Sequence, residues 1–277
     1  MKWLTREFAL TATDARAHDN RAFRFACAGG RLKIAQWMVA AFGLAARDVR
    51  IRGNIALRQA CANNHLELAQ WLVATFGISG EDVRASHNGA LRVACGRGRL
   101  EVAQWLTTTF GLTEADARAG YYPALCSACT NGHVGVARWL TNTFGLTETD
   151  ARRNQNRVLN EVCGNGQVEA ARWLTGAFGL TATDVRECDA LCAACGGGHL
   201  AVAQWLVVTF GLTATDVRKC DALCAACAND HLAVVQWLVR EFGFATDDIC
   251  TTMAREARES GQHELAQWLE LEQKPDL

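Results

Sequence analysis

Two consecutive segments of this 277-residue chain carry cysteines at helical spacing. Cys188, Cys192 and Cys195 stand at i, i+4 and i+7, and their segment ECDALCAAC recurs as KCDALCAAC. Grouped thiolates bind zinc, with each sulfur about 2.3 Å from the metal. Neighbouring helices, however, keep their axes about 8–10 Å apart, which is too far for cysteines of successive segments to share one ion. We therefore interpret these cysteines as small packing residues, and we expect no metal and no cofactor.

A second set of cysteines follows the chain, each ten residues before a tryptophan. These are Cys27, Cys61, Cys95, Cys129, Cys163, Cys195 and Cys227. A disulfide needs Cα atoms within about 7 Å, which equivalent positions on stacked helices do not reach. The thiols are therefore expected to be reduced and buried, as is typical of an intracellular protein of the cytoplasm or the nucleus.

Residues that could bind a charged partner lie where the repeated pattern varies. Arg24, Arg58 and Arg92 each stand three residues before one of these cysteines, and we call them the arginine row. Tyr121 and Tyr122, the only tyrosines, lie in a connection of varying sequence. The row could bind an acidic peptide or phosphate groups, or it could be a solvated face with local ion pairs. Both interpretations are open from the sequence, and these five side chains are the candidate partner-binding residues.

Other polar residues recur too regularly for a single catalytic site. Histidines precede several tryptophan helices at a position that Arg31, Arg99 and Gln167 occupy elsewhere, so structural hydrogen bonding explains them better than metal ligation. Pairs such as Asp48 and Arg50 also recur, and we predict that they cap a short helix and bridge neighbouring repeats. Because no nucleophile–base pair or phosphate-binding loop is distinctive, the sequence predicts a protein that is not an enzyme.

Tryptophans mark the repeating unit that positions all of these residues. Trp3, Trp37, Trp71, Trp105, Trp139 and Trp173 are 34 residues apart, Trp205 and Trp237 follow at 32, and Trp268 follows at 31. Self-similarity at such a period indicates a solenoid, in which each unit packs only on its neighbours. Each tryptophan precedes a Leu or Met within an apolar helical stripe, so we expect the tryptophans to be buried in the core.

One unit illustrates the predicted elements. Apolar residues over Ala90–Cys95 predict a first helix, and a longer apolar stripe predicts a second helix over about Leu100–Phe110. Gly111 follows at the position of a left-handed C-cap. The pattern Thr-x-x-acid over Thr113–Asp116 then predicts a short third helix.

Segments such as ACANNHLELAQWL and ACGGGHLAVAQWL resemble the AA-x-x-GH-x-E-V-V-x-x-LL core of ankyrin repeats. The Thr-Pro pair of that family is absent except for Pro123, and Leu-Thr-x-x follows the turn glycine. The form WL…TFGLT…DAR is similar to divergent arrays of large DNA viruses and protists. The resemblance implies an all-α, ankyrin-like α-solenoid of stacked helix pairs, with a short third helix or turn replacing the β-hairpin.

The spacing also predicts the domain boundaries. We predict a single repeat domain with a partial N-terminal unit at 1–19, repeats at 20–53, 54–87, 88–121, 122–155, 156–187, 188–219 and 220–250, and a C-terminal capping unit at 251–277. No stretch is long and apolar enough for a transmembrane helix, and the N-terminus lacks a signal-peptide pattern. Residues 1–139 carry 17 Lys and Arg against 10 Asp and Glu (net +7), whereas residues 140–277 carry 11 against 19 (net −8).

These features predict a non-enzymatic protein–protein interaction module that binds a partner through the concave face and inter-repeat loops. A partner with an acidic segment would prefer the basic N-terminal half. The pI near 6.6 and the expected burial of the tryptophans argue against nucleic acid. We expect no membrane partner and a monomeric chain. Two alternatives are a cysteine-rich metal-binding or redox-responsive repeat protein, and a stable repeat scaffold without a specific partner.

Overall fold

The computed structural model describes residues 9–120, 123–244 and 248–272. Within these ranges the chain forms 21 α-helices and no β-strand. The predicted all-α, ankyrin-like α-solenoid of stacked helix pairs is confirmed, and short helices occupy the place of the β-hairpin. Among the helices of the described ranges, none combines the length and the apolar character needed to cross a membrane.

The chain divides into two compact units, which are described separately. Unit 1 comprises Met1–Ala128 and His133–Leu146, and unit 2 comprises Cys129–Gly132 and Thr147–Leu277. In both units a first helix is followed by an antiparallel second helix, and a short helix leads to the next first helix. First helices of successive repeats pack on one another, as Ile51–Ala62 does on Gly80–Gly96.

The helices of unit 1 are the first helices Ala12–Ala28, Ile51–Ala62, Gly80–Gly96 and Ala124–Thr130, the second helices Leu32–Phe42, Leu66–Phe76, Leu100–Phe110 and Val134–Phe144, and the short helices Ala46–Val49 and Glu114–Ala117. The last two residues of Ala124–Thr130 belong to unit 2. The helices of unit 2 are the first helices Arg153–Gly164, Ala190–Gly196, Ala222–Ala228 and Asp248–Glu259, the second helices Val168–Phe178, Leu200–Phe210, Leu232–Phe242 and His263–Glu272, and the short helices Glu148–Ala151, Ala182–Glu187 and Ala214–Lys219.

The second helix Leu100–Phe110 has the predicted bounds and cap. Gly111 adopts the left-handed conformation (φ 57°, ψ 48°), which glycine reaches at no steric cost, and this ends the helix. The core residue, however, is Leu106, which is fully buried. Trp105 is only half-buried and lies edge-on to Phe110, with ring centroids 6.0 Å apart. The expectation that the tryptophans form the buried core is therefore wrong for the described repeats, except at Trp205.

Four first helices, Ala12–Ala28, Ile51–Ala62, Gly80–Gly96 and Arg153–Gly164, are kinked, and the kink that connects the preceding short segment to the main part of the helix has an unusual backbone conformation. Three consecutive residues adopt left-handed φ values of 51° to 62° at 18–20, 52–54, 86–88 and 154–156, and we call these segments the left-handed turns. A left-handed conformation costs a non-glycine residue about 1–2 kcal/mol. The two shortened repeats have a single such residue, Asp189 or Asp221. The change of period from 34 to 32 residues therefore removes two left-handed residues from the turn.

An asparagine ends each of these left-handed turns, and in three of them its side chain donates a hydrogen bond to the next repeat. Asparagine tolerates the left-handed region better than other non-glycine residues. The Asn20 side-chain amide donates to the Asp48 carbonyl at 2.8 Å, and the amide of Asn54 donates to the Asp82 carbonyl at 2.8 Å. Both asparagines are buried, so these bonds replace water that the amide groups lose.

The recurring Asp and Arg residues act as predicted. Asp116 accepts from the backbone N–H of Thr113 at 2.8 Å, which caps its short helix, and from Nε of Arg84 at 2.8 Å, which bridges to the preceding repeat. The same inter-repeat ion pair joins Arg16 to Asp48, Arg50 to Asp82, Arg152 to Asp184 and Arg186 to Asp216, with N–O distances of 2.7–3.1 Å. One carboxylate thus stabilises both a helix end and a repeat junction.

The burial of Leu106 and Trp105 predicts how much the truncation of each side chain lowers the free energy of unfolding. Leu106→Ala should lower the free energy of unfolding by about 2–5 kcal/mol, since it leaves a cavity in a fully buried site. Trp105→Ala should cost less, roughly 1–3 kcal/mol, because the indole is already partly in water. Urea unfolding followed by circular dichroism measures both. A larger loss for Trp105→Ala would contradict the assignment of Leu106 as the core residue.

The junction carboxylates predict acid sensitivity. The Arg186 guanidinium, together with the backbone N–H and hydroxyl of Thr213, lowers the pKa of Asp216 to about 2. A carboxyl whose pKa is lower in the folded state stabilises the fold above its unfolded pKa, and that stabilisation is lost as the pH falls through the folded value. Asp216→Asn should therefore destabilise the protein on the order of 1 kcal/mol near pH 7, after solvent screening, and the difference should vanish towards pH 2.

Urea midpoints measured at a series of pH values between neutrality and the acid limit test this expectation. Asp221→Asn is the matched control, because Asp221 is an exposed carboxylate only five residues further along the chain. A difference between Asp216→Asn and the parent protein that stays constant with pH would show that the ion pair with Arg186 is not the cause.

Candidate binding surface

The arginine row lies on three successive first helices of unit 1. Arg24, Arg58 and Arg92 belong to Ala12–Ala28, Ile51–Ala62 and Gly80–Gly96, and all three side chains are half-buried. The other two candidate binding residues, Tyr121 and Tyr122, lie outside the described residues. The structure therefore brings the three arginines to one face of unit 1, next to the left-handed turns.

Two members of the row hold the connection that precedes their own helix. Arg24 donates from Nε to the Asp19 carbonyl at 2.9 Å and from Nη2 to the His18 carbonyl at 3.1 Å. Arg58 donates from Nη2 to the Arg52 carbonyl at 2.9 Å. Their guanidinium groups thus bind carbonyls of the left-handed turns. Arg24 and Arg58 therefore also stabilise local backbone.

Arg58 and Arg92 form a pair of like charges. Burial and, after it, the positive charge of Arg92 lower the pKa of Arg58. Nε of Arg58 is buried without a hydrogen-bond acceptor. Two cations held close together in a half-buried site repel one another, and an anion between them would remove that cost.

The acidic residue nearest the start of the row is already paired. Asp19 accepts from Nε of Arg52 at 2.7 Å, so a carboxylate of one left-handed turn neutralises an arginine of the next. This ion pair is largely exposed, and its contribution to stability is about 0–1 kcal/mol. Asp19 therefore leaves the positive charge of the row uncompensated.

Sequence reasoning did not anticipate the role of Gly89. A Cβ atom added at this position would lie 2.8 Å from Cδ of Arg58, so the arginine crosses directly over the start of the next first helix. The equivalent positions hold Arg21, Ile55 and Arg157. In the sequence, the one sign of this role is that glycine replaces the side chain found in the other repeats. The structure shows that the glycine leaves room for Arg58 to extend towards Arg92.

The histidine position has the predicted structural role. Nε2 of His65 lies 3.0 Å from the Ala28 carbonyl at the end of the preceding first helix. In another repeat Arg99 donates from Nε to the Ala62 carbonyl at 3.1 Å. An arginine can replace the imidazole because the position needs a hydrogen-bond donor to a helix end.

The cysteine positions are mostly interior. The twelve described cysteines are free thiols, and burial raises the pKa of Cys27 and Cys61 to about 12, which keeps them protonated at neutral pH. Cys224 is the exposed one of the described set. Within the described ranges, no three His, Cys, Asp or Glu side chains are grouped so that they could hold a metal ion.

Stacked helix pairs joined by repeated capping and ion-pair contacts define an α-solenoid repeat protein. Residues 57–107 match the family model for ankyrin repeats (many copies), and residues 159–253 match the model for ankyrin repeats (3 copies). The chain belongs to the ankyrin repeat family. A search of curated proteins finds no match to it. The resemblance inferred from the sequence is therefore confirmed, and the general role of this family is protein–protein interaction.

The burial of the cysteines predicts their reactivity. In the native protein the aromatic disulfide DTNB should modify Cys224 faster than the buried cysteines, because the Cys224 thiol is exposed and the added aromatic group stays in solvent. Cys224→Ser should remove that fast phase, whereas Cys61→Ala, at a fully buried position, should leave it unchanged. Absorbance after denaturation counts all 13 thiols. Fast modification of most thiols in the native state would show that these cysteines are not buried. Stoichiometric zinc, found by elemental analysis, would favour the metal-binding alternative.

Proposed function

We propose that this protein is a non-enzymatic interaction module and that unit 1 binds an acidic segment of another protein through the arginine row. Membership of a family that mediates protein–protein interaction supports the general role. The basic N-terminal half, with a net charge of +7 over residues 1–139 from 17 basic and 10 acidic residues, supports an acidic partner. The field of such a half would steer a negatively charged segment towards it.

One observation carries the choice of surface. Arg16, Arg50 and Arg84, which lie just before the left-handed turns, are each neutralised by an aspartate of the next repeat. Arg58 and Arg92 form no ion pair with a carboxylate of the described residues. Unit 1 thus neutralises its junction arginines with aspartates. The positive charges of Arg58 and Arg92 are not neutralised in this way, which favours binding of an anion from another molecule.

The remaining features fit the same proposal. Free, buried thiols of raised pKa support packing rather than redox chemistry for most of the cysteines. We further propose that the protein acts as a monomer in the cytoplasm or nucleus, where reduced thiols persist. The partner surface extends to the connection that contains Tyr121 and Tyr122, which varies between repeats as binding loops do.

Charge reversal of Arg92 is the sharpest test of this proposal. Arg92→Glu should reduce capture of the partner about tenfold and weaken the salt dependence of binding, because it places like charges across the interface. Arg92 is preferred to Arg24 or Arg58, whose guanidinium groups also hold backbone carbonyls. The measurement is affinity capture on the full chain, with the captured proteins quantified by mass spectrometry and the interaction then measured with the purified partner.

Arg97→Glu is the matched control, since Arg97 is an exposed arginine directly after the same helix. Equal loss of binding in the two variants would show a general charge effect and not a site. Loss on replacing Tyr121 and Tyr122 by Ala, with binding retained in Arg92→Glu, would place the interface on the aromatic connection. If none of these changes affects binding, the arginine row is not the interface.

A further inference from the structure

Arg92 differs from the other arginines of the first helices of unit 1 in having no partner among the described residues. Arg24 and Arg58 donate to backbone carbonyls, and Arg52 pairs with Asp19. Arg99 donates to a helix end. Arg92 is half-buried, yet its guanidinium meets no acceptor or carboxylate among the described residues. A guanidinium carries five N–H groups in a planar fork, so this side chain retains its whole hydrogen-bonding capacity.

Arg58 adds donors to the same place. Of its nitrogens, Nη2 is bound to the Arg52 carbonyl, whereas Nε is buried and lacks an acceptor. A buried donor without an acceptor is destabilising, and a ligand that supplies the acceptor removes that cost. Nε of Arg58, which lacks an acceptor, and the guanidinium N–H groups of Arg92 can therefore donate to the same ligand.

Gly89 is what lets the two side chains share this site. Its missing side chain leaves the space that Cδ of Arg58 occupies, only 2.8 Å from where a Cβ would be. Glycine is less favourable than alanine within a helix, so packing of Arg58 over the helix is a physical reason for its presence. The site is thus confined to one repeat junction, between Ile51–Ala62 and Gly80–Gly96.

We propose that Arg58 and Arg92 together bind one phosphoryl group on a side chain of the protein partner. A phosphorylated side chain carries a charge of about −1.5 to −2 near neutral pH and three acceptor oxygens. It therefore neutralises two guanidinium groups and accepts from both, whereas a carboxylate supplies one charge and two oxygens. This inference rests on the proposed function and narrows the acidic segment to a phosphorylated one.

Inorganic phosphate is the first probe, added to the full-length protein with chloride at matched ionic strength as the reference. Phosphate should raise the thermal unfolding midpoint, because a ligand that binds only the folded state stabilises it. Arg92→Gln should weaken phosphate binding about tenfold or more, as expected for loss of a charge-assisted pair. Arg97→Gln should bind phosphate as the parent protein does. Since Arg92 has no partner among the described residues and its charge repels that of Arg58, the circular dichroism spectrum should be unchanged and the urea midpoint should not fall in Arg92→Gln.

A second variant tests the geometry of the site. Gly89→Ala should displace Arg58 and weaken phosphate binding while leaving the guanidinium groups in the protein. Equal phosphate affinity in Arg92→Gln and the parent, or a response to phosphate no larger than to chloride, would overturn the proposal. Unchanged affinity in Gly89→Ala would show that Arg58 does not take part.

Three peptides of identical sequence identify the source of the anion, with phosphoserine, serine or glutamate at one central position. Tight binding of the phosphoserine peptide alone, lost in Arg92→Gln, is the expected result. Equal binding of the glutamate peptide would show that the site binds a carboxylate and is not specific for a phosphoryl group. If the protein binds phosphatidylcholine vesicles that contain phosphoinositide but does not bind the phosphoserine peptide, the ligand is a lipid headgroup and the proposal of a protein partner is wrong.

The outcomes separate this inference from the proposed function. If the captured partner still binds after phosphatase treatment but not to Arg92→Glu, the arginine row is the interface and the phosphoryl assignment is wrong. If the phosphoserine peptide binds through Arg92 while partner capture is unaffected by Arg92→Glu, the phosphoryl site exists and the proposed interface is wrong.

Discussion

The bidentate contact between an arginine and an aspartate of the next repeat is the interaction on which the structure depends. Asp116 shows why, since one carboxylate receives the backbone N–H that starts its short helix and the guanidinium of Arg84 from the preceding repeat. The repeat cannot slip along its neighbour without breaking this ion pair, and the helix cap holds the carboxylate in position for it. Hydrophobic contacts such as those of Leu106 supply most of the burial energy, but they are non-directional and do not set this alignment.

The use of these aspartates for the repeat junctions affects the charge of the rest of the surface. A guanidinium on the first helix, such as Arg92, is left without an internal counter-ion because the acids of the connection are committed elsewhere. The two kinds of arginine lie on opposite sides of the left-handed turns, Arg84 before and Arg92 after 86–88, and have different surroundings. A change at Arg92 therefore need not disturb the repeat junction, whereas Arg58 also holds a backbone carbonyl.

Much of the fold follows from the sequence because its determinants are local and repeated. The Thr113–Asp116 cap and the glycine after Phe110 depend on neighbours within a few residues, so their pattern predicted the short helix and the helix end. Burial of Trp105 was overestimated, since periodicity places a residue on a face but does not say how far a large ring reaches from it. The like-charge pair and the crossing over Gly89 depend on contacts between repeats, which spacing alone does not describe.

The left-handed turns have a consequence for how the chain folds. At roughly 1–2 kcal/mol for each non-glycine residue, a long connection such as 86–88 carries several kcal/mol of backbone cost that a shortened one at Asp189 or Asp221 largely avoids. In a repeat array, structure can nucleate at any unit and then spread to its neighbours. The shortened repeats are consequently the favoured site for the first helix pair to form, and the long repeats are completed by propagation.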